Sequence, residues 1–97
     1  MRVTTMTLPQ SNIEDVLCSK TRLRILKLMM QSEQLTVSEI ARRMGVNYAS
    51  ASIHLETLEN EGILSHVMFG KRIRYYKLRE SNRAQAVKEL IEAWSVL

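Results

Sequence analysis

The sequence predicts a mainly α-helical domain with a small β-hairpin in its C-terminal half, which is an α+β arrangement. Apolar residues recur at helical spacing between residues 20 and 60. Gly45 and Gly62 stand where two of these helices would end. Two runs of β-forming residues then flank Gly70. With 97 residues the chain has the length of one domain, and the expected order of elements is α-α-(β)-α-α-β-β-α.

The N-terminal part of the chain divides into a loose arm and the first two helices. Residues 1–10 show no clear period and include Pro9, so we expect an arm there and a single domain over residues 11–97. A first helix is expected at about 12–18 and a second at about 20–31. The apolar residues of the second helix cover more than one of its faces, which is typical of a central helix.

The middle of the chain has the pattern of two helices joined by a tight turn. Thr36 and Glu39 form a capping box that starts the third helix. Gly45 fits the left-handed position that ends it, and Asn47 is a good N-cap for a fourth helix that runs to about Asn60. A short turn that contains glycine is what a helix-turn-helix requires. In the DNA-binding form of that motif the second helix lies in the major groove.

A β-hairpin is predicted directly after the helix-turn-helix. Residues 63–69 and 72–78 are rich in β-forming side chains, and Gly70 fits the turn between them. A hairpin of two strands is only marginally stable alone, so we expect it to pack on the helices, with residues 35–36 as a short third strand. A hairpin in this position is the wing of a winged-helix domain.

With these elements in place, the sequence resembles the ArsR-like winged helix-turn-helix transcription regulators. The resemblance is carried by residues 19–29 (SKTRLRILKLM), 35–64 (LTVSEIARRMGVNYASASIHLETLENEGIL) and 70–78 (GKRIRYYKL). It implies a dimeric regulator of transcription that dimerises mainly through its terminal helices. Metal-sensing relatives often carry cysteines in the first helix of the motif, or histidine and acidic ligands in the terminal helix. The matching stretches, 35–41 and 81–97, contain neither Cys nor His, so we expect no metal site and no cofactor.

A helical wheel sorts the fourth helix into a core side and a side that would face DNA. Ala51, Leu55 and Leu58 fall on the core side. The residues predicted to read bases are Asn47, Tyr48, Ala49, Ser50, Ser52 and Ile53. Serine can bond to base edges, and alanine or isoleucine can contact a thymine methyl group. Residues 47–64 contain no Lys or Arg, so we expect modest direct readout with a bias towards A·T pairs.

Positive charge is concentrated on the hairpin that follows this helix. Residues 71–79 contain five cations and no acid, in a chain of formal net charge +4. Such a wing can contact phosphates or enter the minor groove. The residues predicted to contact the DNA backbone are Arg42, Arg43, Lys71, Arg72 and Arg74. The alternative is that the hairpin cations only protect an exposed strand from aggregation.

The last predicted helix, at about 81–96, carries an apolar stripe. Its members are Val87, Leu90, Ile91 and Trp94. Because an exposed stripe of this kind marks an interface, we expect it to form a homodimer. Two-fold symmetry would then place two recognition helices about 34 Å apart on a pseudo-palindrome. Packing of the stripe on its own domain is the alternative.

The cysteine and the histidines are expected to have structural roles. Cys18 is the only cysteine, which excludes an intrachain disulfide and predicts an inert, semi-buried thiol, with a redox switch or an interchain disulfide as alternatives. His54 is expected to be a hydrogen-bonded structural residue and His66 to be half-exposed on a strand. Arg22 and Arg24 are expected to solvate a helix face or to pair with acids.

Several classes of protein are disfavoured. No apolar run approaches the ~20 residues that cross a bilayer, and the first residues lack the apolar region of a signal peptide, which predicts a cytoplasmic protein without a membrane partner. The sequence has no glycine-rich phosphate loop and no nucleophile elbow, so an enzyme is not expected.

We therefore predict a prokaryotic regulator that binds double-stranded DNA, acting as a dimeric repressor. The alternatives are a winged-helix module for protein–protein contact, which the acidic end of the recognition helix keeps open, and a repressor that responds to redox or to a small molecule.

Overall fold

A computed structural model describes residues 12–95 as an assembly of helices with one small sheet. The helices are α1 Ile13–Leu17, α2 Lys20–Gln31, α3 Val37–Met44, α4 Tyr48–Asn60 and α5 Asn82–Ser95. The strands are β1 Leu35–Thr36, β2 Leu64–Phe69 and β3 Ile73–Leu78. The predicted fold class is confirmed, including the short third strand. The expected arm at residues 1–10 and the last expected helical residue, 96, lie outside the described residues.

Capping groups set the boundaries of the helix-turn-helix as predicted. The Thr36 hydroxyl accepts from the Glu39 backbone N–H at 3.1 Å, and the Glu39 carboxylate accepts from the Thr36 N–H at 2.9 Å. The Asn47 side-chain oxygen accepts from the Ser50 N–H at 2.7 Å. Gly45 ends α3 with φ 71°, in the left-handed region where a side chain is disfavoured. This glycine lets the chain turn at once into α4.

The sheet holds the wing against α4. Its strand order is β1-β3-β2, with both neighbouring pairs antiparallel. In the hairpin, Met68 lies opposite Arg74 and His66 lies opposite Tyr76. Since paired residues share a face and successive residues alternate, these four side chains lie on the same face of the wing. Hydrogen bonds from that face to α4 identify it as the inner face.

The core forms where α2 meets the other elements. α2 packs against α1, α3, α4 and β3, and its Ile25, Leu26 and Met29 are fully or almost fully buried. The inner side of α4 and the base of the sheet complete this core with Ala51, Leu55, Leu58, Leu64 and Tyr76. The central position expected for α2 follows from its broad apolar surface.

The two halves of α5 have different environments. Ser81 caps the helix by accepting from the Ala84 N–H at 3.1 Å, and its hydroxyl donates to the Gly62 carbonyl at 2.6 Å. Val87, in the first half, is 7% exposed and belongs to the core. In the second half, Trp94 is 81% exposed. The stripe predicted for a partner is therefore shorter than expected, because Val87 is already covered within the protomer. No helix within residues 12–95 has the length and apolar character needed to cross a membrane.

Candidate nucleic-acid interface

The outer side of α4 is open to solvent. Tyr48 is 49% exposed and Ile53 is 62% exposed, while Asn47 and Ala49 are also exposed. The residues of the opposite side, Ala51, Leu55 and Leu58, are fully buried. The helical wheel therefore separates the two sides of α4 as the structure does. A partner that approaches this outer side meets small and apolar side chains together with the hydroxyl of Tyr48.

The cations predicted for the DNA backbone have different surroundings. Lys71 and Arg72 are exposed at the tip of the wing, beyond the last residue of β2. Arg42 and Arg43 are exposed in the last turn of α3. The structure brings Arg72 and Arg74 together with Tyr48 around a small cleft of about 80 Å³. Arg42 and Arg43 lie at the far end of α3 from the Thr36–Ser38 segment that completes the cleft.

The side chain of Arg74 points back to α4 instead of outwards. Its guanidinium donates to the Ser52 hydroxyl at 2.8 Å and to the Tyr76 hydroxyl at 3.0 Å, and it lies 3.4 Å from a Glu56 carboxylate oxygen. The neighbouring Tyr48 is the main cause that raises the pKa of Arg74. The hydroxyl of Ser52 is also used, because it donates to Glu56 at 3.3 Å. Ser52 and Arg74 thus satisfy each other within the protomer.

The glutamates near the end of α4 all have basic partners. Besides the pair of Glu56 with Arg74, Glu59 lies 2.7 Å from the ring nitrogen Nδ1 of His66, and Glu61 lies 2.6 Å from Arg83. These partners come from β3, β2 and α5 respectively. Each of these glutamates therefore has a partner on a neighbouring element, which the sequence pattern alone did not reveal.

A second polar contact anchors α4 from the other side. The Arg22 guanidinium lies 3.1 Å from Nδ1 of His54 and donates to the backbone carbonyls of Asp15 and Val16 at 2.8 and 2.7 Å. Because an arginine only donates, His54 accepts through Nδ1. Burial, followed by the charge of Arg22, lowers the pKa of His54. His54 is the structural histidine that was expected, whereas Arg22 binds carbonyls and an imidazole instead of acids.

The wing also exposes apolar side chains, which the sequence reasoning missed because it counted only cations. Val67, Phe69 and Ile73 are each about half exposed or more. The ring of Phe69 contacts the ring of Tyr75 edge-on, with the centroids 5.1 Å apart. Their exposure could have been expected from the sequence, because these residues alternate along the strands with residues that face α4.

Cys18 lies at a groove between α2 and α5. It is a free, exposed thiol, so the expectation of a semi-buried position is wrong. The residue is the C-cap of the short helix α1 and lies beyond its last helical residue. The groove has a volume of about 820 Å³ and is lined by apolar residues that include Leu23, Ile91 and Trp94. Within residues 12–95, no three side chains of His, Cys, Asp or Glu gather as a metal ion would require.

Comparison with known proteins agrees with this architecture. Residues 19–66 match the family described as "Bacterial regulatory protein, arsR family". A possible transcriptional regulatory protein of Mycobacterium bovis, solved as a fragment of residues 1–100, is 25% identical with a TM-score of 0.67 over 82% of this chain and 83% of that chain.

Two further structures share the fold. The solution structure of a homodimeric winged helix-turn-helix DNA-binding domain from Mycobacterium bovis is 23% identical with a TM-score of 0.69, over 92% of this chain and 90% of that chain. The transcriptional repressor BigR from Xylella fastidiosa is 22% identical with a TM-score of 0.69, over 82% of this chain and 77% of that chain. The resemblance drawn from the sequence is thereby confirmed. Through residues 19–66, this chain belongs to the arsR family of bacterial regulatory proteins, and its fold is the winged helix-turn-helix.

Proposed function

We propose that this protein is a homodimeric transcription regulator that binds double-stranded DNA, with the outer side of α4 in the major groove and the wing on the backbone or in the minor groove. One observation carries the proposal. An accessible helix face of small, polar and apolar side chains lies beside a hairpin whose residues 71–79 include five cations and no acid. This pairing of a base-reading surface with a phosphate-binding one is what a duplex requires.

The residues have separate tasks in this arrangement. Base edges are read from α4 by Asn47, Tyr48, Ala49, Ser50 and Ile53, with Ser52 set deeper beside Arg74. The absence of an arginine from α4 itself favours contacts with thymine methyl groups over guanine readout. Phosphates are contacted by Arg42, Arg43, Lys71 and Arg72, whose side chains are exposed.

The ion pairs of α4 bear on the alternative function. The alternative of a protein–protein module rests on the glutamates at the end of α4. Those glutamates have partners in Arg74, His66 and Arg83, so they are not an unpaired acidic surface that invites a basic protein. This observation favours the nucleic acid as the partner.

Titration against duplex DNA tests the proposal directly. Duplexes selected from a random pool are bound at salt concentrations from about 50 to 200 mM, and the logarithm of the affinity should fall linearly with the logarithm of the salt concentration. Selection should enrich a pseudo-palindrome with half-sites about one helical turn apart. A protein that binds no duplex, or binds with an affinity independent of salt, contradicts the proposal.

The dimer is proposed to form through the second half of α5. Leu90 and Trp94 are exposed on a helix whose first half is held in the core, and the similar domain from Mycobacterium bovis is homodimeric. Trp94→Glu should convert the dimer to a monomer in sedimentation equilibrium, because it places a charge in an apolar contact. Glu92→Ala, on the opposite side of α5 at ~100° per residue, should leave the dimer intact. A wild-type monomer, or a dimeric Trp94→Glu, argues against this interface.

We further propose that the protein is a repressor and that it acts in the cytoplasm of a prokaryote, where it has access to the chromosome. We also propose that it is not an enzyme. The similar protein from Xylella fastidiosa is a transcriptional repressor, and both the family and the fold are those of regulators. Transcription in vitro from a promoter that contains the selected site should decrease when the protein is added. An increase would indicate an activator.

A further inference from the structure

We propose that Arg74 is a positioning residue, which fixes the angle between the wing and α4, and that the sequence selectivity of DNA binding depends on this contact. The inference rests on the proposed function and assigns this one cation of the wing a role other than binding phosphate. It follows from the hydrogen bonds, the burial and the place of Arg74 in the hairpin, which are taken in turn.

The guanidinium joins three separate groups at once. Its Nη2 donates to Ser52 at 2.8 Å, and its Nη1 donates to Tyr76 at 3.0 Å and approaches Glu56 at 3.4 Å. Ser52 and Glu56 lie on successive turns of α4, whereas Tyr76 is fixed in the core. The planar fork of an arginine holds such partners in a fixed geometry, which a lysine cannot reproduce.

Arg74 is more buried than the cations of the wing tip. The side chain of Arg74 is only 20% exposed, and its guanidinium carbon lies 5.6 Å from the centre of the Tyr76 ring. To reach a phosphate it would have to leave Ser52 and Tyr76, and their polar groups would then be without a charged partner. Arg72 is exposed at the tip and lies two residues away on the same segment. Arg72 is therefore the matched comparison for a cation that faces the DNA backbone.

Arg74 lies near the tip of the hairpin, so its contact with α4 can set the orientation of the wing. The base of the hairpin is held by Tyr76 and Leu64, which are fully buried. Arg74 pairs with Met68, one step from the last pair of the ladder, Phe69 with Ile73. Beyond this step the side chains of β2 and β3 are about half exposed or more. A clamp so close to the tip sets the direction in which the tip leaves α4.

Direction matters because α4 and the wing would contact one duplex together. Phosphate contacts fix the register of a protein on DNA, and base contacts then discriminate sequence. A wing held at one angle permits one register of α4 in the major groove. A wing free to swing would still contact phosphates, but it would allow several registers, so affinity for random DNA would survive while preference for the selected site would fall.

The test measures salt dependence and selectivity in four proteins: wild type, Arg72→Ala, Arg74→Ala and Arg74→Lys. Dissociation constants are determined for the selected duplex and for a random duplex over a series of salt concentrations. Circular dichroism and thermal unfolding establish that each variant is folded. Arg74→Lys keeps the charge, so it supplies a folded comparison even if Arg74→Ala loses stability.

The expected pattern separates the two arginines. Arg72→Ala should weaken binding to both duplexes and lower the logarithmic salt slope by about 0.9, the value for one phosphate contact. Arg74→Ala should leave the slope unchanged and reduce the ratio of selected to random affinity by about tenfold, on the scale of one good base contact. Arg74→Lys should resemble Arg74→Ala, because an ammonium group keeps the charge but not the hydrogen-bond geometry of the planar guanidinium.

Two results would overturn the inference while leaving the proposed function intact. One is a slope that falls in Arg74→Ala as it does in Arg72→Ala, together with recovery in Arg74→Lys. The other is an unchanged selectivity ratio in both Arg74 variants. If the wild-type protein binds no duplex, the proposed function fails instead, and this inference fails with it.

Discussion

The contact between α4 and the wing differs from the tip of the wing in what its charged groups do. At the contact, Arg74 and His66 are hydrogen-bonded to α4, and burial raises the pKa of Tyr76 between them to about 12. At the tip, Lys71 and Arg72 are exposed. Lys71, Arg72 and Arg74 stand within four positions of one another, so their nearness in sequence does not assign a role. What distinguishes them is whether the side chain contacts α4, as Arg74 does, or is exposed at the tip, as Arg72 is.

The largest expected effect comes from removing the buried centre of the contact. Tyr76→Ala should lower the free energy of unfolding by about 3–5 kcal/mol, because it empties a large volume in the core and removes one of the two hydroxyls to which Arg74 donates. Tyr75→Ala, on the outer face of the same strand, should cost much less, since Tyr75 is only half-buried. Urea denaturation measures both. Equal losses would mean that the two faces of the wing do not differ as described.

The tip should show the opposite behaviour. The double variant Lys71→Ala/Arg72→Ala should leave the free energy of unfolding within about 0.5 kcal/mol of wild type, as is usual for exposed positions. Its logarithmic salt slope for DNA binding should fall by about 0.9 for each phosphate that the variant no longer binds. Lys27→Ala removes an exposed cation of α2 and serves as the control. A normal slope in the double variant would refute the role assigned to the tip.

The smallest effect is expected at the other anchor of α4, from acidification. His54 has a pKa below 6.5 in the folded protein, so the unfolded chain takes up this proton first. The stability that neutral His54 supplies is therefore complete above about pH 6.5 and is lost as the pH falls from there through the folded-state pKa. Denaturation at several pH values should show a steeper acidic loss in wild type than in His54→Gln. Parallel curves would exclude the Arg22–His54 contact as the cause.

Much of the fold could be predicted because its boundaries depend on local chemistry. Thr36, Asn47 and Ser81 cap helices through hydrogen bonds within three residues, and Gly45 ends α3 by its own backbone conformation. The core side of α4 follows from spacing alone. Such features need no knowledge of what lies elsewhere in the molecule.

The roles of Arg74, Arg22 and Val87 could not be predicted in the same way. Arg74 reaches Ser52 across 22 positions and Arg22 reaches His54 across 32, and no periodic pattern specifies where a long side chain will end. Val87 shares the helical stripe of Trp94, yet the core covers only the first half of α5. Spacing identifies which face a residue occupies but not how far a neighbouring element extends over it.

The ion pairs of α4 have a consequence for the first encounter with a polyanion. Glu56 and Glu61 pair with Arg74 and Arg83, and Glu59 is hydrogen-bonded to His66. These glutamates are therefore partnered beside the side of α4 that we propose faces DNA, while Lys71 and Arg72 are exposed at the wing tip. A duplex that diffuses towards such a surface is attracted first to one extremity, and long-range attraction of this kind orients a partner before any base is touched. Association should then begin at the tip, with α4 entering the groove afterwards.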